Sequence, residues 1–332
     1  MCASLCAYTK AAGHGVTPPP EYSGAAPQSG GDVVFKILTG GCTVVVLVLI
    51  GAIFYELLAN SWLSIKTFGW RFLVSSDWDA VRSRFGAASS IYGTLVCTAI
   101  AMLLAVPVGL VTALFLVELA PPRISRLVGT GVELLAAIPS IIYGMWGLFV
   151  FAPFLSNYVY PGLQSGLGFL PLFDGPTTGI GMLTAGIILA IMILPFITAV
   201  TRDVFMMVPP ALRESAFGMG ATTWEVTRKV TMRYGFKGII GATLLGLGRA
   251  IGETMAVTFV IGNAHRIRIS LLENGNTITS TLANEFQEAA AEPLFRAALI
   301  ELGLILFVLT FVIQALAQLW LRRVSRGMGG GL

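Results

Sequence analysis

Two charged residues interrupt an apolar stretch and are the strongest candidates for chemistry. Arg249 and Glu253 lie within the apolar run from Phe236 to about Ile261. At 1.5 Å per residue, Arg249 would lie about 20 Å along a helix that begins at Phe236, close to the middle of a bilayer. A charged side chain at that depth is costly and usually marks a transport path or a functional site. The pair is therefore a candidate site for a charged solute.

Two interpretations of this pair are open. As a structural ion pair, Glu253 would neutralise Arg249 from one helical turn away, although the desolvation of both charges tends to cancel their attraction. As an anion site, the guanidinium would offer a planar set of donors to a tetrahedral oxyanion. Glu253 would then accept a hydrogen bond from a protonated oxygen, which phosphate carries near neutral pH and sulfate does not. We favour the anion site.

Composition places the chain among all-α membrane proteins. It has 332 residues, of which 55% are hydrophobic and 11% are charged, whereas about a quarter of the residues of soluble domains are charged. The net charge of +4 is better explained by basic cytoplasmic loops than by nucleic-acid binding. Six runs reach the roughly 20 apolar residues that a spanning helix needs: about 33–59, 91–120, 127–155, 178–205, 236–261 and 293–321.

The distribution of basic residues predicts the orientation. Lys and Arg are retained on the cytoplasmic side, and with the N-terminus inside most of them fall there, which places both termini in the cytoplasm. The expected organisation is a disordered cytoplasmic tail (1–32), a first transmembrane helix (33–60), an extracytoplasmic interfacial segment (61–90), a core of five transmembrane helices (91–321) that contains a cytoplasmic segment (206–234), and a cytoplasmic tail (322–332).

Prolines and cysteines add less. Pro107, Pro139 and Pro195 fall inside predicted spans, which indicates either kinked helices around a cavity or ordinary packing kinks. Ser140, beside Pro139, would place a hydroxyl inside the membrane, where it could bind a solute unless it donates a hydrogen bond back to its own helix. The four cysteines predict neither a metal site nor a disulfide framework, because two lie in apolar spans and the other two lack further ligands.

The cytoplasmic segment predicts a helix, a glycine turn and a second helix. Pro209-Pro210 suits the start of a helix, and Gly218 and Gly220 break it. Thr222 and Glu225 have the spacing of a capping box at the start of the next helix. A DNA-binding helix-turn-helix is disfavoured because a basic recognition face is missing, whereas a simple structural loop remains an alternative. Four large apolar side chains favour a protein partner instead: Leu212, Phe217, Met219 and Trp224.

The same segment resembles a family motif. Glu214–Ala216, followed by Gly220 and then by Val230–Met232, is similar to the EAA motif of ABC importer permeases, although Arg233 stands where that motif has proline. In that family the segment is a coupling helix that docks on a cytoplasmic ATPase subunit. The resemblance implies a type I importer (MetI-like) bundle of six helices. It also implies a set of ATPase-coupling residues: Arg213, Glu214, Ala216, Gly220 and Trp224.

A second resemblance narrows the family. The stretches Arg249–Thr254, Ile138–Ser140 and Ser64–Leu73 are similar to phosphate ABC importer permeases of the PstC type. The resemblance implies import of inorganic phosphate across a prokaryotic cell membrane, with a PstA-type permease as the partner, two ATPase subunits and an extracytoplasmic phosphate-binding protein. The implied substrate-binding residues are Arg249, Glu253, Thr254 and Ser140.

The chain has no G-x-x-x-x-G-K-[ST] phosphate loop, so we expect it not to hydrolyse ATP by that route, and we expect ATP and Mg²⁺ to bind to the partner ATPase subunits.

Two rival functions stay open on the residues alone. One is a permease for another oxyanion, such as sulfate or molybdate. The other is a proton-coupled secondary carrier, which the lack of a visible internal repeat weakens.

Overall fold

The computed structural model describes residues 30–328. The predicted disordered tail, 1–32, therefore lies outside the described residues except for its last three positions, and so do positions 329–332 of the predicted C-terminal tail. The chain divides into two units, Met1–Ile53 and Phe54–Leu332. In the first unit, the described residues form one exposed helical stretch. The Thr39 and Thr43 hydroxyls donate there to backbone carbonyls one turn earlier, at 2.7 and 2.9 Å.

The described residues are almost entirely helical. In chain order the α-helices are α1 (Gly30–Phe68), α2 (Arg71–Val74), α3 (Ala88–Leu114), α4 (Pro122–Ala136), α5 (Ser140–Trp146), α6 (Ala152–Phe154), α7 (Tyr160–Leu167), α8 (Met182–Met206), α9 (Pro210–Gly218), α10 (Thr223–Val226), α11 (Met232–Ile251), α12 (Met255–Val260), α13 (Ile278–Glu285) and α14 (Pro293–Met328). Single turns of π-helix extend α3 or join neighbouring helices over Phe115–Leu119, Gly147–Phe151, Leu155–Val159 and Thr227–Thr231.

Five of the described helices are long and apolar enough to cross a membrane: Gly30–Phe68, Ala88–Leu119, Ser140–Gly166, Met182–Met206 and Pro293–Arg323. The sixth predicted span, 236–261, is instead divided between α11 and α12. The helix α11 also carries three basic residues, Arg233, Lys237 and Arg249. The all-α membrane class is confirmed, but one predicted crossing consists of two shorter helices.

The third predicted span is displaced along the chain. The structure ends α4 at Ala136 and starts a new helix at Ser140, so the spanning helix is Ser140–Gly166 rather than 127–155. Pro139 is the cause, because it has an extended conformation (φ −57°, ψ 136°) and cannot continue the preceding helix. The expectation that Pro139 lies inside a span is wrong, whereas Pro107 and Pro195 do lie inside α3 and α8.

The centre of the second unit is the packing of α3 on α8. Small buried residues of α3, such as Ala101 and Ala105, face larger buried residues of α8, such as Ile193, and small residues let helices approach closely in membranes. Val257 and Val260 of α12 belong to the same buried cluster. The core therefore fixes the short helix that follows the break after α11.

The two long connections of the second unit lie at opposite ends of α8. At its start, the Met182 N–H donates to the Glu273 carbonyl at 3.2 Å, so the loop 262–292 lies there. At its end, the Phe205 carbonyl accepts from Arg213 of α9 at 2.6 Å. A helix of 25 residues is about 37 Å long. The loop 262–292 and the segment 206–234 are therefore separated by roughly the thickness of a membrane.

Candidate functional site

Arg249 lies on the last turn of α11 with its side chain exposed. Within residues 30–328 it forms no ion pair and no side-chain hydrogen bond, and Glu253 in particular lies beyond ion-pairing distance. The guanidinium is close enough to the Tyr143 hydroxyl to act on it electrostatically. The structural ion pair that the sequence left open is thus absent from the described residues, and the charge of Arg249 is available to a ligand.

Glu253 does not continue the α11 face, so its expected position one turn beyond Arg249 is wrong. The helix ends at Ile251, and Gly252 leaves the helical conformation (φ −88°, ψ 1°). The Glu253 Oε1 atom accepts from the Ala256 N–H at 3.2 Å, and its carbonyl accepts from the Thr279 hydroxyl at 2.7 Å. Glu253 therefore caps α12 with one carboxylate oxygen and leaves Oε2 without a hydrogen bond from the described residues.

The other two predicted site residues lie near the same break. Thr254 directly precedes α12 and is partly exposed. Ser140 begins α5, which packs beside α12 in register: a Cβ atom on Gly144 would lie 3.0 Å from Ala256 Cα, and one on Gly147 would lie 3.0 Å from Val260 Cγ1. Ser140 lies one helical turn before Gly144 and is therefore level with the break between α11 and α12. The structure thus places two hydroxyls and the Glu253 carboxylate at the end of α11.

A polar network behind the break holds Glu253 in place. The Asn276 side-chain amide donates to the Ser90 hydroxyl at 2.6 Å, and the Thr94 hydroxyl accepts from the Ile278 N–H at 3.0 Å. These bonds fix the start of α13 against α3 and thereby position the Thr279 hydroxyl. The sequence analysis missed this network, although the spacing of Thr277 and Ser280, which form a capping box, was a signal for a helix start at this point.

The predicted coupling segment (206–234) has the expected local structure. Pro210 is the first residue of α9, the helix ends at Gly218, and Gly220 adopts φ +83°. The Glu225 N–H donates to the Thr222 hydroxyl at 3.4 Å, and the Thr222 N–H donates to the Glu225 carboxylate at 3.0 Å. The predicted capping box is therefore present. Hydrogen bonds from Thr222 and the nearby Lys229 lower the pKa of the Glu225 carboxyl.

Much of the surface of the coupling segment is apolar and uncovered. The large apolar side chains with more than a third of their surface exposed are the four predicted ones, Leu212, Phe217, Met219 and Trp224, together with Met206, Met207 and Tyr234. Glu214 is exposed as well and has no ion pair or hydrogen bond within the described residues. Ala216 is buried. The exposed set forms a surface that a partner could cover.

Arg213, like Ala216, is turned away from this exposed surface, and its side chain points into the protein. Its Nη2 atom donates to the Phe205 carbonyl at 2.6 Å and lies 3.5 Å from Glu118 Oε1. Glu118 also accepts from the Thr231 hydroxyl at 2.7 Å. The sequence analysis did not single out Glu118, although a carboxylate at the end of a predicted span was a signal.

A second inter-helix ion pair lies elsewhere in the second unit. Arg202 Nη1 of α8 is 3.2 Å from Glu133 Oε1 of α4. The Arg202 side chain is 18% exposed, whereas that of Glu133 is 57% exposed. Within residues 30–328, no group of three or more His, Cys, Asp or Glu side chains has an arrangement that could hold a metal ion.

Comparison with known proteins defines the class. Residues 105–326 match the family model of the binding-protein-dependent transport system inner membrane component. A chain of a bacterial alginate ABC transporter, solved in complex with an alginate pentasaccharide-bound periplasmic protein, has a similar fold, with a TM-score of 0.59 and 19% identity over 89% of this chain and 97% of that one. The fold is therefore that of an ABC importer permease, as the EAA motif predicted.

Curated relatives define the family more narrowly. The phosphate transport system permease protein PstC of Mesorhizobium japonicum is 53% identical over 302 residues, which cover 90% of this chain and 92% of that protein. The protein of the same name in Pasteurella multocida is 48% identical over 302 residues, 90% of this chain and 94% of that one. The chain therefore belongs to the inner membrane components of binding-protein-dependent transport systems, and within them to the PstC-type permeases.

Proposed function

We propose that this chain is the transmembrane permease subunit of an ATP-driven importer of inorganic phosphate. The names of its relatives support the substrate. The observation that carries the proposal is the exposed Arg249 guanidinium, which forms no ion pair with the described residues and lies beside a break between two helices. An arginine side chain in the middle of a bilayer costs about 2.5–3.5 kcal/mol on insertion scales, unless an anion or water accepts its hydrogen bonds.

The surroundings of Arg249 suit a protonated oxyanion. The Ser140 hydroxyl is a donor at the level of the break, and beside the break lies the Thr254 hydroxyl, which donates to the Gly252 carbonyl at 3.4 Å. The helix Ser140–Gly166 begins there, so its partial positive charge faces the same region. The Oε2 atom of Glu253 accepts the hydrogen bond of a protonated phosphate oxygen. Sulfate, which has no such proton, would place an oxygen against the carboxylate and be repelled. This arrangement favours phosphate over sulfate and molybdate.

The other subunits supply the energy and deliver the substrate. An extracytoplasmic phosphate-binding protein delivers phosphate to the end that holds the loop 262–292, and a PstA-type permease completes the pathway. Two ATPase subunits bind ATP and Mg²⁺, and their closure pushes on the coupling segment, which faces the cytoplasm together with both termini. Glu214 and Trp224 contact the ATPase, the small Ala216 seats α9, and Gly220 sets the turn. Alternating access then moves phosphate past Arg249.

The test is phosphate uptake by the assembled transporter carrying Arg249→Ala. We expect uptake to fall at least about tenfold, because loss of one charge-assisted anion contact removes more than about 1.4 kcal/mol, while the complex stays assembled. Lys237→Ala, which removes an exposed basic side chain near the start of the same helix and outside the coupling segment, is the matched control and should transport normally. Normal uptake by the Arg249 variant would refute the anion site.

The same assay separates the rivals. Suppression of uptake by sulfate or molybdate and not by unlabelled phosphate would indicate another oxyanion, and Glu253→Gln should increase inhibition by sulfate. Uptake that survives ATP depletion but stops when the proton gradient collapses would indicate a secondary carrier.

A further inference from the structure

One carboxylate joins the coupling segment to the spanning helices. The side chain of Glu118 is only 8% exposed and lies in the π-turn that follows α3. Its Oε1 atom accepts from the Thr231 hydroxyl at 2.7 Å and lies 3.5 Å from Arg213 Nη2. Thr231 directly precedes α11, and Arg213 is part of α9. Three separate parts of the chain therefore meet at one oxygen atom.

The arginine extends this cluster to a fourth element. Arg213 Nη2 donates to the carbonyl of Phe205, which lies in the last turn of α8. Its Nε atom is buried and has no hydrogen-bond partner within residues 30–328. The guanidinium is thus held inside the protein and is largely turned away from the exposed side of α9. Charged hydrogen bonds shielded from water in this way are strong and short in range.

Two of the three side chains in this cluster lie in irregular turns of the backbone. Glu118 lies in the π-turn Phe115–Leu119, and Thr231 lies in the π-turn Thr227–Thr231. Single π-turns inside helices are rare and occur frequently at functional sites. Here one π-turn places Glu118 directly after α3, and the other places Thr231 directly before α11, within the coupling segment.

We propose that Glu118 is a positioning residue which, with Arg213 and Thr231, forms a joint that transmits displacement of α9 to α3, α8 and α11. This inference rests on the proposed function. When a partner pushes a helix, neighbouring helices move with it only if short, rigid contacts connect them. The joint provides such contacts between α9 and the three helices α3, α8 and α11. Leu212 and Phe217 remain on the exposed surface of α9, so docking and transmission use different residues of the same helix.

The experiment compares variants of the complete transporter in proteoliposomes. Glu118→Gln and Arg213→Gln each remove one charge from the joint. Thr231→Val removes one hydrogen bond and keeps the shape of the side chain. Glu133→Gln is the matched control, because it neutralises an ion pair of similar length between α4 and α8 that does not involve the coupling segment.

Two quantities are measured in each variant: phosphate transported per ATP hydrolysed, and the amount of ATPase subunit that co-purifies. We expect Glu118→Gln to lower the transport ratio about fivefold, equivalent to about 1 kcal/mol of coupling free energy, with ATP hydrolysis and co-purification retained. Thr231→Val should give a smaller loss in the same direction. The double variant Glu118→Gln/Arg213→Gln should lose no more than either single variant, because the two residues act as one unit.

A readout that does not depend on the substrate separates this inference from the proposed function. Spin labels at the exposed positions Ser165 and Gln287, in a variant without other cysteines, report the ATP-driven distance change at the far end of the molecule. In Glu118→Gln this change should be lost while ATP is still hydrolysed. If the wild type shows the distance change but moves no phosphate, the substrate assignment is wrong and the joint stands.

Three results would overturn the joint. The first is an unchanged transport ratio and distance change in Glu118→Gln. The second is an equal loss of coupling in Glu133→Gln, which would indicate a general effect of destabilisation. The third is loss of the ATPase subunit from the Glu118→Gln complex, which would assign Glu118 to assembly rather than to transmission.

Discussion

The Arg249 guanidinium is exposed, and the described residues give it neither an ion pair nor a side-chain hydrogen bond. Glu253, four positions further along the chain, accepts a hydrogen bond from the N–H of Ala256 with one carboxylate oxygen, and its backbone carbonyl accepts one from the Thr279 hydroxyl. The acid is therefore fixed rather than free to swing towards the arginine. Under the proposed function, the positive charge of Arg249 has a partner only while an anion is bound. Such a site favours brief binding during transport over permanent binding.

His265 gives a prediction at the same scale. Its ring stacks on Trp78 with 5.3 Å between centroids, and its Nδ1 atom lies 2.9 Å from the Asn276 amide nitrogen. An amide donor at Nδ1 requires that nitrogen to be unprotonated, and burial lowers the pKa of His265 to about 4. Although Glu285 lies 3.7 Å from Nε2, burial has the larger effect, because it also raises the pKa of the Glu285 carboxyl.

We therefore expect stability to depend on pH through His265. As the pH falls from about 6.5 to about 4, the unfolded chain takes up a proton at this histidine and the folded chain does not, so the folded state loses up to about 3 kcal/mol. The measurement is the melting temperature in detergent of the wild type and of His265→Gln across this range. The stability advantage of the wild type should shrink towards acid pH. A constant difference between the two proteins would contradict the neutral, buried histidine.

At the scale of elements, the breaks between helices were harder to predict than the coupling segment. Pro210, Gly220 and the Thr222–Glu225 capping box act within a few residues, so sequence predicted each of them correctly. The break at Pro139 has a local cause in the proline, but hydropathy alone gives no boundary there, because apolar residues lie on both sides. The break at Gly252 lies between Arg249 and Glu253, and the buried contacts of Val257 and Val260, which hold α12 in the core, come from residues far away in the sequence.

The network behind the site depends on a close approach between α3 and the start of α13. A Cβ atom on Gly93 would lie 1.9 Å from the backbone oxygen of Asn276, and no side-chain rotation relieves a clash with backbone. We expect Gly93→Ala to destabilise the protein by about 1–3 kcal/mol and to loosen α13, measured by the melting temperature and by hydrogen exchange.

The control for this prediction is Gly241→Ala on α11, where nothing lies within 4 Å of the added Cβ atom. That substitution should be neutral or stabilise the helix by up to about 1 kcal/mol. Equal melting temperatures for the Gly93 and Gly241 variants would show that the contact with Asn276 does not limit the position of α13.

At the largest scale, α8 connects the two long connections of the second unit. The loop 262–292, which supports Glu253, lies at its start, and the coupling segment lies at its end. Sequence predicted both connections and the six hydrophobic runs, but not the contacts that link them, such as Glu118 with Arg213 and Thr231. Contacts between residues about a hundred positions apart leave no periodic signal in a single sequence.

A prediction at this scale concerns assembly. Glu214 is exposed on α9 without an ion pair in the described part of the chain, so it is available to a basic group of the ATPase subunit. Glu214→Lys should reverse that attraction and reduce the ATPase subunit that co-purifies by at least about fivefold, since a like-charge contact costs several kcal/mol. Glu288→Lys, at the opposite end, is the control. Full retention of the ATPase by the Glu214 variant would remove Glu214 from the interface.

The uncovered apolar surface of the coupling segment has a consequence for how the protein is made. Trp224, Met219, Phe217 and Leu212 are exposed to water in the isolated chain, and surfaces of this kind promote aggregation. A newly synthesised copy that meets no ATPase subunit would thus be a target for chaperones and proteases. Balanced production of the subunits, rather than abundance of any one of them, then sets how much transporter a cell retains.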